Sequence, residues 1–537
     1  MRTYNVILKK GVDYQSFWDD MEKENDGGNL YIPNRRVDSP NLRPHSQRQT
    51  WYTLSDEEAE TVRNDERVLA VEIPPEQRDD IIIGHSAIQT GVFDKTTSDS
   101  GTYQNWGLQR CLSKENNYGT SNTAPSTEFP YTLTGKGVDV IIQDSGIQTD
   151  HPEWADRFQS IDWGSYSGGP PDGFNQSSDH DRDLDGHGSH CAGIAVGKTF
   201  GWAKGARVLH QKISGLEGAS DSGTGISPSV AFDVIKAWHN AKTVNPNTGY
   251  KRPTVVNMSW GYLTTYTDAS IDEINYRGTS HTGTDIDSST KRENNYGLIY
   301  NIYDITTYAT NTRIVSVDTD IEELLEAGVH ICCAAGNRSH KIDESGGDDY
   351  DNYFSEGVDT PQYYHRGSSP YGDAGQDGTG QRAIIVGNMD SNSASLTNDQ
   401  KANSSECGPG VDIYAPGTNI MSATSDTNKF TDAAYYANSD YRQCNISGTS
   451  MASPNVAGVL ACMLEIYPEW TPAYAKQWLK DNAGSAILNT GTGNDWTNDR
   501  SLKGGEAKVL HMSLSNSKPV SISGFNKLSF NIKIKQK

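Results

Sequence analysis

Ser450 sits in a run of small residues, Asn445-Ile446-Ser447-Gly448-Thr449-Ser450-Met451-Ala452-Ser453-Pro454-Asn455-Val456, and an apolar stretch from Val456 to Leu464 follows it. This order predicts a tight loop delivering a serine to the N-terminus of a buried helix. Gly448 would admit a substrate backbone, and Pro454 would fall in a first helical turn. The free N–H groups and partial positive charge of a helix start suit an oxyanion forming beside the serine. A serine hydroxyl needs a base to become nucleophilic, and the base needs an acid to orient it. Both types stand upstream. Val138 to Gln143 reads as a buried strand that ends in Asp144-Ser145-Gly146. An acid at the C-terminal end of such a strand lies where open parallel sheets place function. His187 stands between two glycines in Asp185-Gly186-His187-Gly188-Ser189-His190-Cys191, ahead of a small-residue helix. Alone, Ser450 would read as a helix cap. The acid and the histidine outweigh that reading.

In the order Asp, His, Ser, the three stretches resemble the subtilases, the subtilisin-like serine proteases. The resemblance implies Asp144 as orienting acid, His187 as general base and acid, and Ser450 as nucleophile. It implies peptide hydrolysis through an acyl-enzyme, with no cofactor for the chemistry. A strand-like Gly328 to Cys333 ends in Ala334-Ala335-Gly336-Asn337. The matching asparagine of the family donates a side-chain N–H to the tetrahedral intermediate, which implies that role for Asn337 beside the backbone N–H of Ser450. Ser259-Trp260-Gly261 matches a family segment that pairs with an extended substrate, and Ser222-Gly223 matches the opposite edge, so substrate would bind by strand addition. Asp412, in Val411 to Gly417, matches an aspartate that often helps hold a cation, which suggests a structural calcium. The acids of residues 179–185 are a second candidate for hard-oxygen ligation. Cys191 resembles the free cysteine that some subtilases carry on the histidine helix.

The elements needed to position these residues are legible. Strand-like runs (208–213, 254–259) alternate with helical ones (228–242, 320–327), which predicts an α/β catalytic domain over 105–490, a subtilisin-like parallel sheet flanked by helices. Residues 1–78 read as a small α+β unit: strands at 4–8, 49–54 and 68–73, a helix over 14–24, and a capping box at Ser55. That order resembles the inhibitor-type (I9-like) propeptide of subtilases, a ferredoxin-like fold. The resemblance implies an intramolecular inhibitor removed by autoprocessing. Residues 79–104 read as a linker, and because Pro74-Pro75 is a poor place to cut, the expected cut lies within Glu76 to Gln104, with retention of the stretch beginning near Trp106. The polar spans 262–317 and 339–381 read as surface insertions, and 491–537 as a C-terminal extension with strands near 508–513 and 527–535.

Composition narrows the function. The chain has 537 residues and a formal charge of −23 with 34% hydrophobic residues. No basic domain offsets that charge, which argues against nucleic-acid binding. No apolar run is long enough to span a membrane. Met1 to Lys10 lacks the apolar centre of a signal peptide, so the expected location is cytoplasmic or non-classically exported. The 7 cysteines are odd in number and read as small buried hydrophobes. Two other functions compete with the serine protease. One is a metal-dependent hydrolase built on His180, His187 and His190. The other is a binding protein on an inactive protease scaffold, which the intact Asp144, His187, Asn337 and Ser450 count against.

Overall fold

The computed structural model describes residues 1–24, 30–33, 35–39, 48–74, 87–96, 103–164, 175–218, 223–246, 248–299, 307–357, 361–391, 399–485, 487–488 and 500–512. The chain divides into two compact units, Met1–Gly84 with Val244–Tyr250, and His85–Thr243 with Lys251–Lys537.

In the larger unit six strands form one parallel sheet, in the order Ile413–Pro416, Ile384–Met389, His330–Ala334, Thr254–Met258, Asp139–Asp144, Arg207–Lys212. Runs such as Val140-Ile141-Ile142 and Val255-Val256 are buried on both faces, as a parallel sheet covered by helices requires. Helices Pro228–Ala241 and Val315–Glu326 have amphipathic patterns whose apolar positions join the core. Helix Thr449–Ile466 is apolar all round and buried from Met451 to Leu464, which places it in the centre of the unit.

Three adjacent strands, Asp139–Asp144, Thr254–Met258 and His330–Ala334, point their C-terminal ends at one place. Asp144 ends the first, Ser259 follows the second and Asn337 follows the third. The chain passes from Asp139–Asp144 out to Arg207–Lys212 and then back past the first strand to Thr254–Met258, so the switch point, where open α/β sheets bind ligands, falls between Asp139–Asp144 and Thr254–Met258.

The smaller unit has a three-stranded antiparallel sheet, Gln49–Leu54, Arg2–Leu8, Val68–Glu72, with helices Tyr14–Met21 and Asp56–Arg63 and its own core of Tyr4, Val6, Phe17, Tyr52 and Leu54. The expected capping box is present: Ser55 Oγ accepts the Glu58 N–H at 3.2 Å, and Glu58 accepts the Ser55 N–H at 2.7 Å.

Two sequence boundaries move, and two regions read as separate join. The linker expected over 79–104 is shorter: Ala87–Thr90 pairs with Glu128–Tyr131, Phe93 is buried, and the Lys95 ammonium packs over the Trp106 and Tyr118 rings at 5.5 and 4.8 Å. An amphipathic run of turns hides such burial, because neither its strand nor its lysine carries a periodic signal. The catalytic domain does not stop at 490. Leu502, Val509 and Leu510 are buried, and Tyr414 exchanges backbone bonds with Lys508 and Leu510. The expected strand over 527–535 lies outside the described residues. The two polar insertions make a common structure: Glu273–Tyr276, Thr279–Thr282, Tyr353–Ser355 and Gln362–Tyr363 form one antiparallel sheet over a core that includes Ile274, Tyr308, Phe354 and Tyr364.

Candidate active site

Asp144 is buried, and its Oδ1 accepts two bonds: the Ser145 N–H at 2.7 Å and Nδ1 of His187 at 2.8 Å. A carboxylate cannot donate, so Nδ1 carries the hydrogen and Nε2 of His187 is left as the basic nitrogen. Burial works against the imidazolium. The Asp144 carboxylate outweighs it and holds His187 well above its ordinary 6.5.

His187 opens helix His187–Val196, whose cap residue, Gly186, has φ of +91° and no capping side chain. Asp183 supplies the cap from three residues upstream. Its Oδ1 accepts the Gly186 N–H at 2.8 Å, and its Oδ2 accepts from the Ser189 N–H and hydroxyl at 3.0 and 2.7 Å. A carboxylate at a helix start satisfies free N–H groups and the helix dipole together. The Ser145 hydroxyl donates to Asp183 at 3.0 Å and accepts the Gly188 N–H at 2.9 Å. This network ties the strand end carrying Asp144 to the helix start carrying His187. Gly188 is the tightest point: a Cβ there would lie 2.0 Å from the Gly146 carbonyl oxygen. Asp183 was missed in the sequence because it sits in a run of four acids, and nothing in that run distinguishes a buried cap from a solvated loop.

Helix Thr449–Ile466 begins one residue before the serine, so Pro454 lies inside the helix and not in its first turn. A proline has no N–H to give to the carbonyl four residues back, which here is Ser450. That carbonyl accepts instead from the Ser259 hydroxyl at 2.9 Å and from the Cys191 thiol at 3.3 Å. The Ser450 hydroxyl donates to the Ser259 carbonyl at 3.3 Å. Cys191 Sγ stands 4.0 Å from His187 Nδ1, and burial pushes its thiol above its ordinary range, which makes it a neutral wall of the site.

Asn337 is fixed by Thr449. The Thr449 N–H reaches its Oδ1 at 2.9 Å and the Thr449 hydroxyl at 3.1 Å, while the same hydroxyl accepts the Gly336 N–H at 3.2 Å. A backbone N–H only donates, so the atom it faces must be the amide oxygen. The Asn337 NH2 lies beside Gly448, 3.5 Å from where a Gly448 Cβ would stand. Thr449 is a second residue that the sequence reading passed over.

A cleft of about 650 Å³ runs beside these groups, lined by His187, Asp144, Ser259, Trp260 and Gly261 among others. Trp260 stacks on Phe232, with centroids 6.4 Å apart and planes at 23°, so it is both packed and exposed to the cleft. Gly223 donates its N–H to Glu217 at 3.1 Å. Ser222 lies outside the described residues.

Asp412 does not have the surroundings of a cation ligand. Lys476 Nζ stands 2.9 Å and Arg382 3.2 Å from its carboxylate, which also accepts the Ile385 N–H at 2.9 Å. The protein's own cations take the place a metal would need. Residues 179–185 are likewise engaged: Asp181 with His210 at 2.8 Å, Asp183 as the helix cap, and Asp185 with Lys429 at 2.7 Å. The metal-hydrolase alternative is not assembled among the described residues: the group of ligand atoms close enough to share an ion is Asp144, His187 and Cys191, without His180 or His190. His190 Nε2 lies 3.0 and 3.1 Å from the Ile420 and Cys444 carbonyls, and His180 Nε2 accepts the Lys212 N–H at 3.2 Å.

A parallel α/β sheet with an Asp–His pair and a serine at the start of a buried helix defines a hydrolase scaffold of one recognisable type. Residues 135–509 match the Subtilase family (Peptidase_S8), and the chain belongs to it. It is similar to Subtilisin-like protease 3 of Saccharomyces cerevisiae, 28% identical over 365 residues, 68% of this chain and 52% of the relative. It is also similar to a subtilisin-like serine protease of Cochliobolus lunatus, 28% identical over 429 residues, 79% of this chain and 59% of the relative. The chain thus spans about half of the length of the curated relatives it matches. Among solved structures, a cold-adapted subtilisin-like serine proteinase aligns with TM-score 0.44 and 19% identity, over 76% of this chain and 98% of that one.

These relatives overturn the location read from the N-terminus. They are fungal subtilisin-like proteases, which do not fit a cytoplasmic protein. Among the described residues no helix is long and apolar enough to cross a membrane.

Proposed function

We propose that the chain is a serine endopeptidase acting on polypeptides. The observation that carries this reading is the 2.8 Å bond from His187 Nδ1 to Asp144, because it leaves Nε2 as a base of raised pKa at the edge of the cleft. The Ser450 hydroxyl turns from the Ser259 carbonyl to that nitrogen, loses its proton and attacks the substrate carbonyl. The oxyanion takes hydrogen bonds from the Asn337 NH2 and the Ser450 N–H, and the helix start adds favourable potential. His187 returns the proton to the leaving amine, and the acyl-enzyme is cleared by water under the same base. Extended substrate pairs with Ser259-Trp260-Gly261 on one side and with Ser222-Gly223 on the other. No step calls for a cofactor.

The N-terminal unit is the intramolecular inhibitor in this reading, released by autoprocessing. Since Ala87–Thr90 is a strand of the larger unit, the cut falls ahead of Ala87, and not as late as Trp106. Wild-type protein should therefore shorten at its N-terminus and cleave a peptide in the presence of a chelator, while Ser450→Ala stays at full length. Isolated residues 1–78 should inhibit the shortened enzyme. Full activity from uncut wild type, with no inhibition by 1–78, would make the unit a permanent accessory domain.

A further inference from the structure

The cleft carries two acidic groups that the proposed mechanism does not use. Glu217 is 5% exposed, and its Oε1 accepts the Gly223 N–H at 3.1 Å. Its Oε2 is buried with no hydrogen-bond partner among the described residues. Asp185 stands two residues before His187. Lys429 holds its Oδ2 at 2.7 Å, and its Oδ1 is also buried without a hydrogen-bond partner. Both residues line the cleft beside Asp144, together with Ile213, Leu216 and Trp260.

Buried carboxylate oxygens are as a rule hydrogen-bonded, and where one that is not belongs to the wall of a cleft, a ligand can complete the set. The two free oxygens can only accept, so the ligand must donate. Charge narrows it further. Lys429 is the one lysine or arginine among the described residues of this lining, against three carboxylates. Lys212 comes near, but its ammonium is engaged by the carbonyls of Arg182 at 3.2 Å and Asp179 at 3.5 Å. The apolar walls suit the methylene stem of a long side chain whose head carries the charge.

We propose that this part of the cleft is a subsite for a lysine or arginine side chain of the substrate, with Glu217 as its anchoring carboxylate and Asp185 as the second partner. Lys429 is its internal competitor, because it neutralises Asp185 in the empty cleft. The proposal rests on the serine-protease reading and adds a substrate class to it: polypeptides with a basic residue near the scissile bond.

The test uses processed enzyme whose active sites are counted with a serine-directed phosphonate. Peptides identical except for arginine against citrulline, or lysine against norleucine, are compared at each position flanking the cut. At one position the charged residue should raise kcat/KM by about 10- to 100-fold, the range of a hydrogen bond between charged groups. Glu217→Gln should remove most of that ratio, and Lys429→Met should increase it. Equal rates for charged and neutral peptides at every position would overturn the subsite. So would a ratio that survives Glu217→Gln undiminished. Phosphonate labelling keeps the two readings apart: enzyme labelled at Ser450 with a flat ratio loses the subsite alone, whereas unlabelled, inactive protein loses the protease reading beneath it.

Discussion

Asp144 and Asp412 are both about 1% exposed and both belong to the central sheet region, yet they are treated in opposite ways. Asp412 faces two cations, Lys476 and Arg382, and a backbone N–H. Those cations outweigh burial and hold its carboxyl below the usual range. Asp144 faces one imidazole, and its Oδ2 has no hydrogen-bond partner among the described residues. The first carboxylate is closed and serves stability. The second is left open, and the charge it can stabilise appears only when His187 takes a proton. Glu217 and Asp185 resemble Asp144 in this respect. A buried acid with spare acceptor capacity beside a cleft points to chemistry or binding; a buried acid held between two of the protein's own cations, as Asp412 is, points to structure.

The comparison predicts effects of very different size. Ser450→Ala should lower turnover by about 10⁶-fold, the scale on which a subtilisin loses activity with its nucleophile. Turnover retained at near wild-type level would break the open side of the comparison at once. Asn337→Ala should lower kcat by roughly 10²–10³-fold, as loss of one oxyanion donor does in a subtilisin, with KM little changed because the bond forms mainly in the transition state. A higher KM at unchanged kcat would reassign Asn337 to substrate positioning.

On the closed side, Asp412→Asn should cost about 3–5 kcal/mol of stability, since it leaves Lys476 and Arg382 facing each other in a buried site. Urea unfolding measures the loss, and kcat per labelled active site should stay as in wild type. A fall in kcat with stability intact would return Asp412 to the functional group of acids. Because the native pKa of Asp412 is lowered, its contribution is present above the unfolded value and is lost as pH falls through the folded one.

Glu406 sharpens the contrast by pH. It is fully buried behind Gly336, with Oε1 accepting from Asn311 at 3.1 Å and the Arg338 N–H at 3.3 Å. Burial raises its carboxyl to about 8, despite Asn311 and the charges of Arg338 and Lys401 acting the other way. Between about pH 4.5 and 8 the folded state therefore keeps a proton that the unfolded state releases, and stability declines across that window. Glu406→Gln should flatten the decline, so that its stability gains on wild type as pH rises to 8, by at most about 5 kcal/mol at about 1.4 kcal/mol per pKa unit, read as a rise in relative melting temperature. Parallel melting curves across the window would show that Glu406 is not held neutral.

The parts legible in the sequence were those with a local signature. Asp144, His187, Asn337 and Ser450 each close a strand or open a helix in a glycine-rich setting, and the apolar strands announce a parallel sheet. What stayed hidden was tertiary partnership. Nothing local marks Asp412 as paired with Lys476, which is 64 positions away, or separates Asp183, a helix cap, from its neighbours Asp181 and Asp185. The burial of Lys95 depends on aromatic rings at 106 and 118. The shared sheet of the two insertions depends on pairing between Glu273–Tyr276 and Tyr353–Ser355. Contacts of this kind are set by the fold and leave no period in the chain.

The central claim is that Ser450 is activated by His187 at the open end of the Asp144 pair. Mass spectrometry of wild-type protein treated with a serine-directed phosphonate tests it most directly. The account predicts one adduct, on the peptide carrying Ser450, formed at a rate that follows deprotonation of His187 and so rises with pH through a midpoint above 6.5. The adduct should be absent in Ser450→Ala and greatly slowed in His187→Ala. An adduct on another serine, or a Ser450 adduct whose rate ignores His187, would contradict it.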